Sequence, residues 1–239
     1  MTTNTDPNNN NNNPQITLHT YFRSSCSARL RIALALKSLP YTSIPINLLK
    51  DEQSSAANAI NPSSTVPTLT LTWYDGSKEP RTVTITQSLA ALEYLDEAFP
   101  STYPLLPPKE NDPERRALIR TLANIVACDI QPVTNLRILK RVAPFGVDRA
   151  DWSKSLIEEG LRAYESIIAR TAGRFSVGDE VSMADVCLIP AIWGAERVGV
   201  ELGERFPTVK RVAEALEGVP AVREGHWRGQ EDTPGEFRF

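Results

Sequence analysis

Four prolines crowd into nine residues at Pro100, Pro104, Pro107 and Pro108, and no regular element runs through such a stretch. The chain on its two sides follows different periods. Before it, apolar residues alternate in short runs. Ile16–Tyr21 reads as a strand, Ser27–Lys37 as a helix and Ile44, Ile46 and Leu48 as a second strand, which makes a β-α-β unit. Thr68–Trp73 alternates strictly, and with Thr82–Ile85 across Asp75-Gly76 it predicts an antiparallel hairpin. Ser88 is placed to cap a helix whose apolar face is Leu89, Leu92, Leu95 and Phe99. Beyond the prolines every periodic segment is helical, on Leu118, Leu122, Ile125 and Val126, on Ile157, Leu161, Tyr164 and Ile168, and on Val209, Val212, Ala213 and Leu216. Pro132 should bend or end the first of these. Val181–Val186 reads as a capping box, with Ser182 as N-cap and Asp185 reaching back.

The expected fold class is therefore α/β plus all-α, with a first domain over 14–99, a linker over 100–112 and a helical domain over 113–239. Residues 1–13, with an unbroken Asn8–Asn13 run, bury no apolar surface and read as a disordered tail. They have neither the basic and apolar regions of a secretory signal nor the arginine of a mitochondrial presequence.

Composition removes several classes of function. Twenty-six Lys and Arg stand against 29 Asp and Glu, a net charge of −3, so no general field draws the chain to nucleic acid. No apolar run approaches the ~18 residues of a membrane span. Cys26, Cys128 and Cys187 are too few for a disulfide framework, and a reducing, cytoplasmic setting is expected. With only His19 and His226, a histidine metal site is not expected.

Three short segments can carry chemistry. Arg23-Ser24-Ser25-Cys26 joins the first strand to the first helix, and a helix N-terminus favours anions and thiolates. Cys26 is either a nucleophile or a neighbour of one that a ligand supplies, and the plain alternative is that Ser24, Ser25 and Cys26 only cap the helix. Val66-Pro67 precedes the third strand; in the cis form it would offer the Val66 peptide groups to an extended ligand, and in the trans form it would be an ordinary strand entry. Gln87-Ser88 opens a helix, where a serine can hold a carboxylate or merely cap. The order strand, helix with polar N-terminus, strand, Val-Pro, hairpin, Gln-Ser, helix describes a thioredoxin-like domain with a glutathione-shaped site.

Residues Tyr21–Leu34 closely resemble the signature of the zeta-class glutathione transferases, the maleylacetoacetate isomerases. The similarity continues through Pro45–Leu48, Asn61-Pro62, Val66–Leu69, Gln87–Ala90, Gln131-Pro132, Asn135-Leu136, Gly178–Asp185, Ala195–Arg197 and Asp232–Pro234. The resemblance implies a glutathione transferase fold with a C-terminal helical bundle, glutathione as cofactor and a homodimer. It implies that Ser24 activates the glutathione thiol and that Ser25 and Cys26 line the same site. Gln53, Val66 and Pro67 would hold the tripeptide, Gln87 and Ser88 its γ-glutamyl end, and Gln131, Asn135, Leu136 and Arg137 would reach in from the second domain. Arg23 and Arg197 match arginines that receive the carboxylates of a small dicarboxylate substrate. The implied reaction turns maleylacetoacetate into fumarylacetoacetate during tyrosine and phenylalanine breakdown, by addition of a thiolate, rotation of the bond and elimination. The hairpin is longer than the family pattern, and Thr86 stands where a histidine often precedes the Gln-Ser pair.

Alternatives are a general glutathione transferase, a reductase that uses Cys26 itself, and a non-catalytic binding module on the same fold. The four tryptophans and His19 read as packing, Cys128 and Cys187 as buried and inert, and Glu158-Glu159 as a solvated helix face.

Overall fold

The computed structural model describes residues 13–55, 60–74, 76, 79–108 and 112–239. The Asn run up to Asn12 and Asp75 of the hairpin turn lie outside them.

The first part is a four-stranded sheet with helices. It comprises β1 (Gln15–Thr20), α1 (Ser25–Leu36), β2 (Thr42–Pro45), β3 (Thr68–Trp73), β4 (Arg81–Ile85) and α2 (Ser88–Ala98). The strand order is β2-β1-β3-β4. β2 runs parallel to β1, while β3 is antiparallel to both β1 and β4, the β-α-β, β-β-α arrangement of a thioredoxin-like domain. The alternation of the sequence sets the faces: Leu18, Leu69 and Leu71 are fully buried, while Thr70 and Thr72 stand opposite Thr84 and Thr82 across the hairpin. Arg81 lies 4.7 Å over the Trp73 ring at the turn end of the hairpin.

The second part is helical: α3 (Pro113–Asn124), α4 (Gln131–Thr134), α5 (Leu136–Val142), α6 (Arg149–Thr171), α7 (Met183–Arg197), α8 (Pro207–Glu217) and α9 (Pro220–Gly225). Pro132 does not stop the first helix where it stands. Ile125–Ile130 widens into a π-turn, with the Gln131 N–H bonding back to Val126. The chain then passes Pro132 and breaks at Asn135, which is extended. A widened turn accommodates the missing N–H and the ring bulk that a regular α-helix would not.

The two parts share one apolar core. α1 packs against α2 on one side and against α7 and α9 on the other. Gly225 makes the α9 approach possible, because a β-carbon there would collide with Ile32. The proline-rich connector is docked: Leu105 and Leu106 are buried, and the Leu105 carbonyl accepts from the Met183 N–H at 2.9 Å. Beneath it, the fully buried Lys37 ammonium pairs with Asp96 at 2.9 Å and donates to the Tyr103 carbonyl at 2.7 Å. The Asp96 carboxylate also accepts from the N–H groups of Leu105 and Leu106. In α7 the capping box forms as expected. The Asp185 carboxylate, fully buried, accepts from Ser182 and from the Ser176 N–H. Burial pushes its pKa up against the pull of those bonds.

Two side-chain expectations are corrected. Cys187 is buried but Cys128 is exposed, because its position falls on the outer side of the widened turn. Glu158 is not a freely solvated carboxylate: it is half-buried and pairs with Arg205 at 2.7 Å.

Candidate active site

The strand register gathers the candidate segments at one end of the sheet. His19, near the end of β1, faces Thr68 at the start of β3, and Leu69 faces Ile85 at the end of β4. The connections carrying Ser24, Val66 and Gln87 therefore all leave from the same edge. Pro45, the end of β2, lies opposite Thr20, which brings the segment leading to Gln53 to that end as well.

Ser24 is the N-cap of α1, and its hydroxyl accepts from the Ser27 N–H at 3.1 Å. Capping and chemistry are compatible here. The backbone engages a lone pair, and the hydroxyl proton stays free to be donated. Among the described residues the N–H groups of Ser25 and Cys26 take no backbone partner, as the first turn of a helix requires. Ser24, Ser25 and Cys26 are each half-buried.

The Val66–Pro67 peptide is cis. Among the described residues, the Val66 N–H and C=O take no backbone hydrogen bond. Val66 shares a recess with Gln53, His19, Ile46, Ile60, Asn61, Thr65 and Thr68. Gln53 donates to Asp51 at 2.7 Å, and its buried carbonyl oxygen has no partner among the described residues. Burial lowers the His19 pKa, so this imidazole is neutral at pH 7.

Ser88 corrects its expectation as a cap. It is the first residue inside α2; the N-cap is the exposed Gln87, which makes no side-chain capping bond. The Ser88 hydroxyl instead accepts from Arg29 Nη1 at 3.1 Å.

Arg23 and Arg197 lie close enough to repel. Arg197 is at the surface, yet the protein atoms crowded around it and then the like charge of Arg23 push its pKa down to about 10. It remains charged at neutral pH. Its guanidinium caps the carbonyl of Trp193 at 3.0 Å and lies 5.6 Å from the Trp227 ring centroid; Arg23 lies 5.8 Å from that of Phe237. Both charges act on Tyr21, whose pKa is nonetheless raised, mainly by burial.

The corner Gln131–Arg137 is held by its own bonds. Asn135 caps α5 by accepting from Ile138 and donates to the Pro132 carbonyl. Gln131 and Leu136 are half-buried and Arg137 is exposed. Among the described residues no hydrogen bond joins this corner to the Ser24 connection.

Three residues with a hand in the site carry no role in the sequence reading. Arg31 donates to Gly225 O, Thr20 Oγ1 and Phe22 O at 2.9–3.1 Å, and Asp232 accepts from the Phe22 N–H at 2.9 Å. Together they hold the backbone that leads into Ser24. Arg29 lies under Ser88. Their signal in the sequence is two arginines inside an otherwise apolar helix, and their partners lie 9 to 194 positions away, beyond any local pattern.

Comparison with known proteins gives concordant results. Residues 23–98 match the glutathione S-transferase N-terminal domain and residues 138–220 the C-terminal domain. The chain is similar to a maleylacetoacetate isomerase of Emericella nidulans, 70% identical over 95% of this chain and 98% of that one. It resembles the crystal structure of a maleylacetoacetate isomerase from Anaeromyxobacter dehalogenans with glutathione bound in its active site, with TM-score 0.82 and 37% identity, covering 93% and 100% of the two chains. A bacterial zeta-class maleylpyruvate isomerase is also similar, with TM-score 0.80 and 35% identity over 91% and 100%. Among the described residues there is no helix long and apolar enough to cross a membrane, and no group of three His, Cys, Asp or Glu placed to hold a metal.

Proposed function

The chain belongs to the zeta-class glutathione transferases, the family of the maleylacetoacetate isomerases, and on that premise we propose that it isomerises maleylacetoacetate to fumarylacetoacetate with glutathione as cofactor. The observation that carries this reading is the N-terminus of α1, where the Ser24 hydroxyl and two unpaired N–H groups converge. It lies at the same sheet end as the unpaired Val66 peptide and Ser88. These groups fit the cofactor part by part: a thiolate at the Ser24 cap, a cysteinyl backbone along Val66, and a glutamyl carboxylate at the start of α2.

When bound, glutathione supplies the thiol whose ionised form adds reversibly to the conjugated double bond and lets it rotate. A free thiol titrates near ~8.5, so the protein must favour the ionised form at neutral pH. Ser24 can do so by donating a hydrogen bond to the thiolate, with a lone pair of its oxygen already engaged by the Ser27 N–H, and the partial positive charge of the helix end acts in the same sense. Arg31 and Asp232 keep that cap in place through the Thr20 hydroxyl and the Phe22 C=O and N–H. Arg23 and Arg197, both charged, would receive the two carboxylates and oppose negative charge developing on the substrate. Ser25, Cys26, Gln53, Pro67, Gln87 and, from the helical side, Gln131, Asn135, Leu136 and Arg137 complete the proposed contacts.

A boundary at residues 100–112, pairing into a homodimer and a cytoplasmic location belong to the same reading. The change from sheet to helix across the connector supports the boundary. The pairing rests on family resemblance and is read by sedimentation equilibrium.

The deciding experiment is an assay of maleylacetoacetate with the purified protein. Conversion to the trans isomer is expected only with glutathione present. No conversion at millimolar glutathione would overturn the proposal.

A further inference from the structure

Helix α1 buries two arginines, and only one of them is satisfied. Arg31 is 1% exposed and all three of its guanidinium nitrogens donate to oxygen. Arg29 is equally buried, but its single bond is from Nη1 to Ser88 Oγ. Its Nε and Nη2 have no partner, and it takes part in no ion pair, among the described residues. Cys187 is near it, but burial pushes that thiol up to about 11, so it is neutral at pH 7 and balances no charge. A buried cation without a counter-ion is costly in a folded core. An apolar side chain of similar length would serve packing better.

The one bond that Arg29 makes points to its use. A hydroxyl whose lone pair is taken by a guanidinium has its proton left to give. Ser88 opens an 11-residue helix that no side chain caps, so unpaired N–H groups lie at the same place. The result is an anion subsite with a cation built in beneath it.

We propose that Arg29 is a positioning residue for the glutamyl α-carboxylate of glutathione, holding the Ser88 hydroxyl as a donor and supplying from below the charge that the carboxylate balances. The inference rests on glutathione being the cofactor.

The test is calorimetric titration of glutathione into the wild-type protein, Arg29→Met, Arg29→Lys, Ser88→Ala and the Arg29→Met/Ser88→Ala double variant, with thermal unfolding of each in the absence of ligand. Arg29→Met is expected to weaken binding about tenfold, the scale of one lost charge-assisted contact, and Arg29→Lys by less. The double variant should bind little worse than the weaker single one, because the two groups act as a unit. The unfolding midpoint of Arg29→Met should stay level or rise, since an unbalanced buried charge is gone. A glutathione analogue with hydrogen in place of the glutamyl α-carboxylate should bind wild-type and Arg29→Met alike.

Wild-type affinity in Arg29→Met, full additivity with Ser88→Ala, or the same loss for the analogue would each overturn the inference. If Arg29→Met does not fold, the comparison of glutathione with its analogue on Arg29→Lys decides in the same way. Wild-type protein that binds no glutathione would instead overturn the cofactor reading itself.

Discussion

At the scale of single residues, the site depends on which oxygen and which sulfur do the chemistry. Cys26 is the conspicuous nucleophile in the sequence, yet Ser24 is the residue at the cap, with its proton free and a lone pair engaged by Ser27. Ser24→Ala should lower turnover of maleylacetoacetate by about 100-fold or more while glutathione binding is largely kept, because it removes the donor to the thiolate and leaves the Val66 and Ser88 ends intact. Cys26→Ala should keep most of the activity. The opposite pattern in steady-state assays of the two variants would make Cys26 the reactive group and the protein a thiol reductase. Ser88 shows why residue type alone misleads. A serine opening a helix reads as a cap, but the hydroxyl is claimed by an arginine 59 positions earlier, and the exposed Gln87 takes the N-cap place.

At the scale of elements, the alternating strands, the α1 and α2 helices and the capping box of α7 were legible because each obeys a period or a spacing of a few residues. The break in the first long helix was legible only as a consequence of Pro132. Its position was displaced to Asn135 because the preceding six residues widen into a π-turn. Cys128, within that turn, is exposed. The connector between the halves reads as a proline-rich linker, and the structure clamps it through Lys37 and Asp96. Asp96→Ala would leave the Lys37 ammonium buried without its partner and free two backbone N–H groups. A loss of about 3–5 kcal/mol is expected, visible as a lower midpoint in urea. A change under 1 kcal/mol would show that the clamp contributes little.

At the scale of the whole molecule, charges from distant elements converge on the C-terminal segment. His226 lies among the rings of Trp193, Trp227 and Phe239. Its own burial, then Arg228, Arg31 of α1 and Arg197 of α7, push its pKa down to about 4. The folded chain thus refuses a proton that the unfolded chain accepts near pH 6.5. Stability from this group is whole above about pH 6.5, falls as the pH drops, and levels off below about pH 4, where both states are protonated. Denaturant titrations across that window should show the slope, and His226→Phe should flatten it. An unchanged slope would assign the loss to other groups. Fold class, the order of elements and the signature around Ser24 were written in the sequence, because periodicity, proline placement and short motifs act over neighbouring residues. Only the tertiary structure decided that Arg29 donates to Ser88, that Arg31 and Asp232 brace the cap, and that Arg23 and Arg197 lie close enough for their charges to interact. Those relations join residues up to 210 positions apart, and their energies depend on burial, which exists only once the two halves are packed.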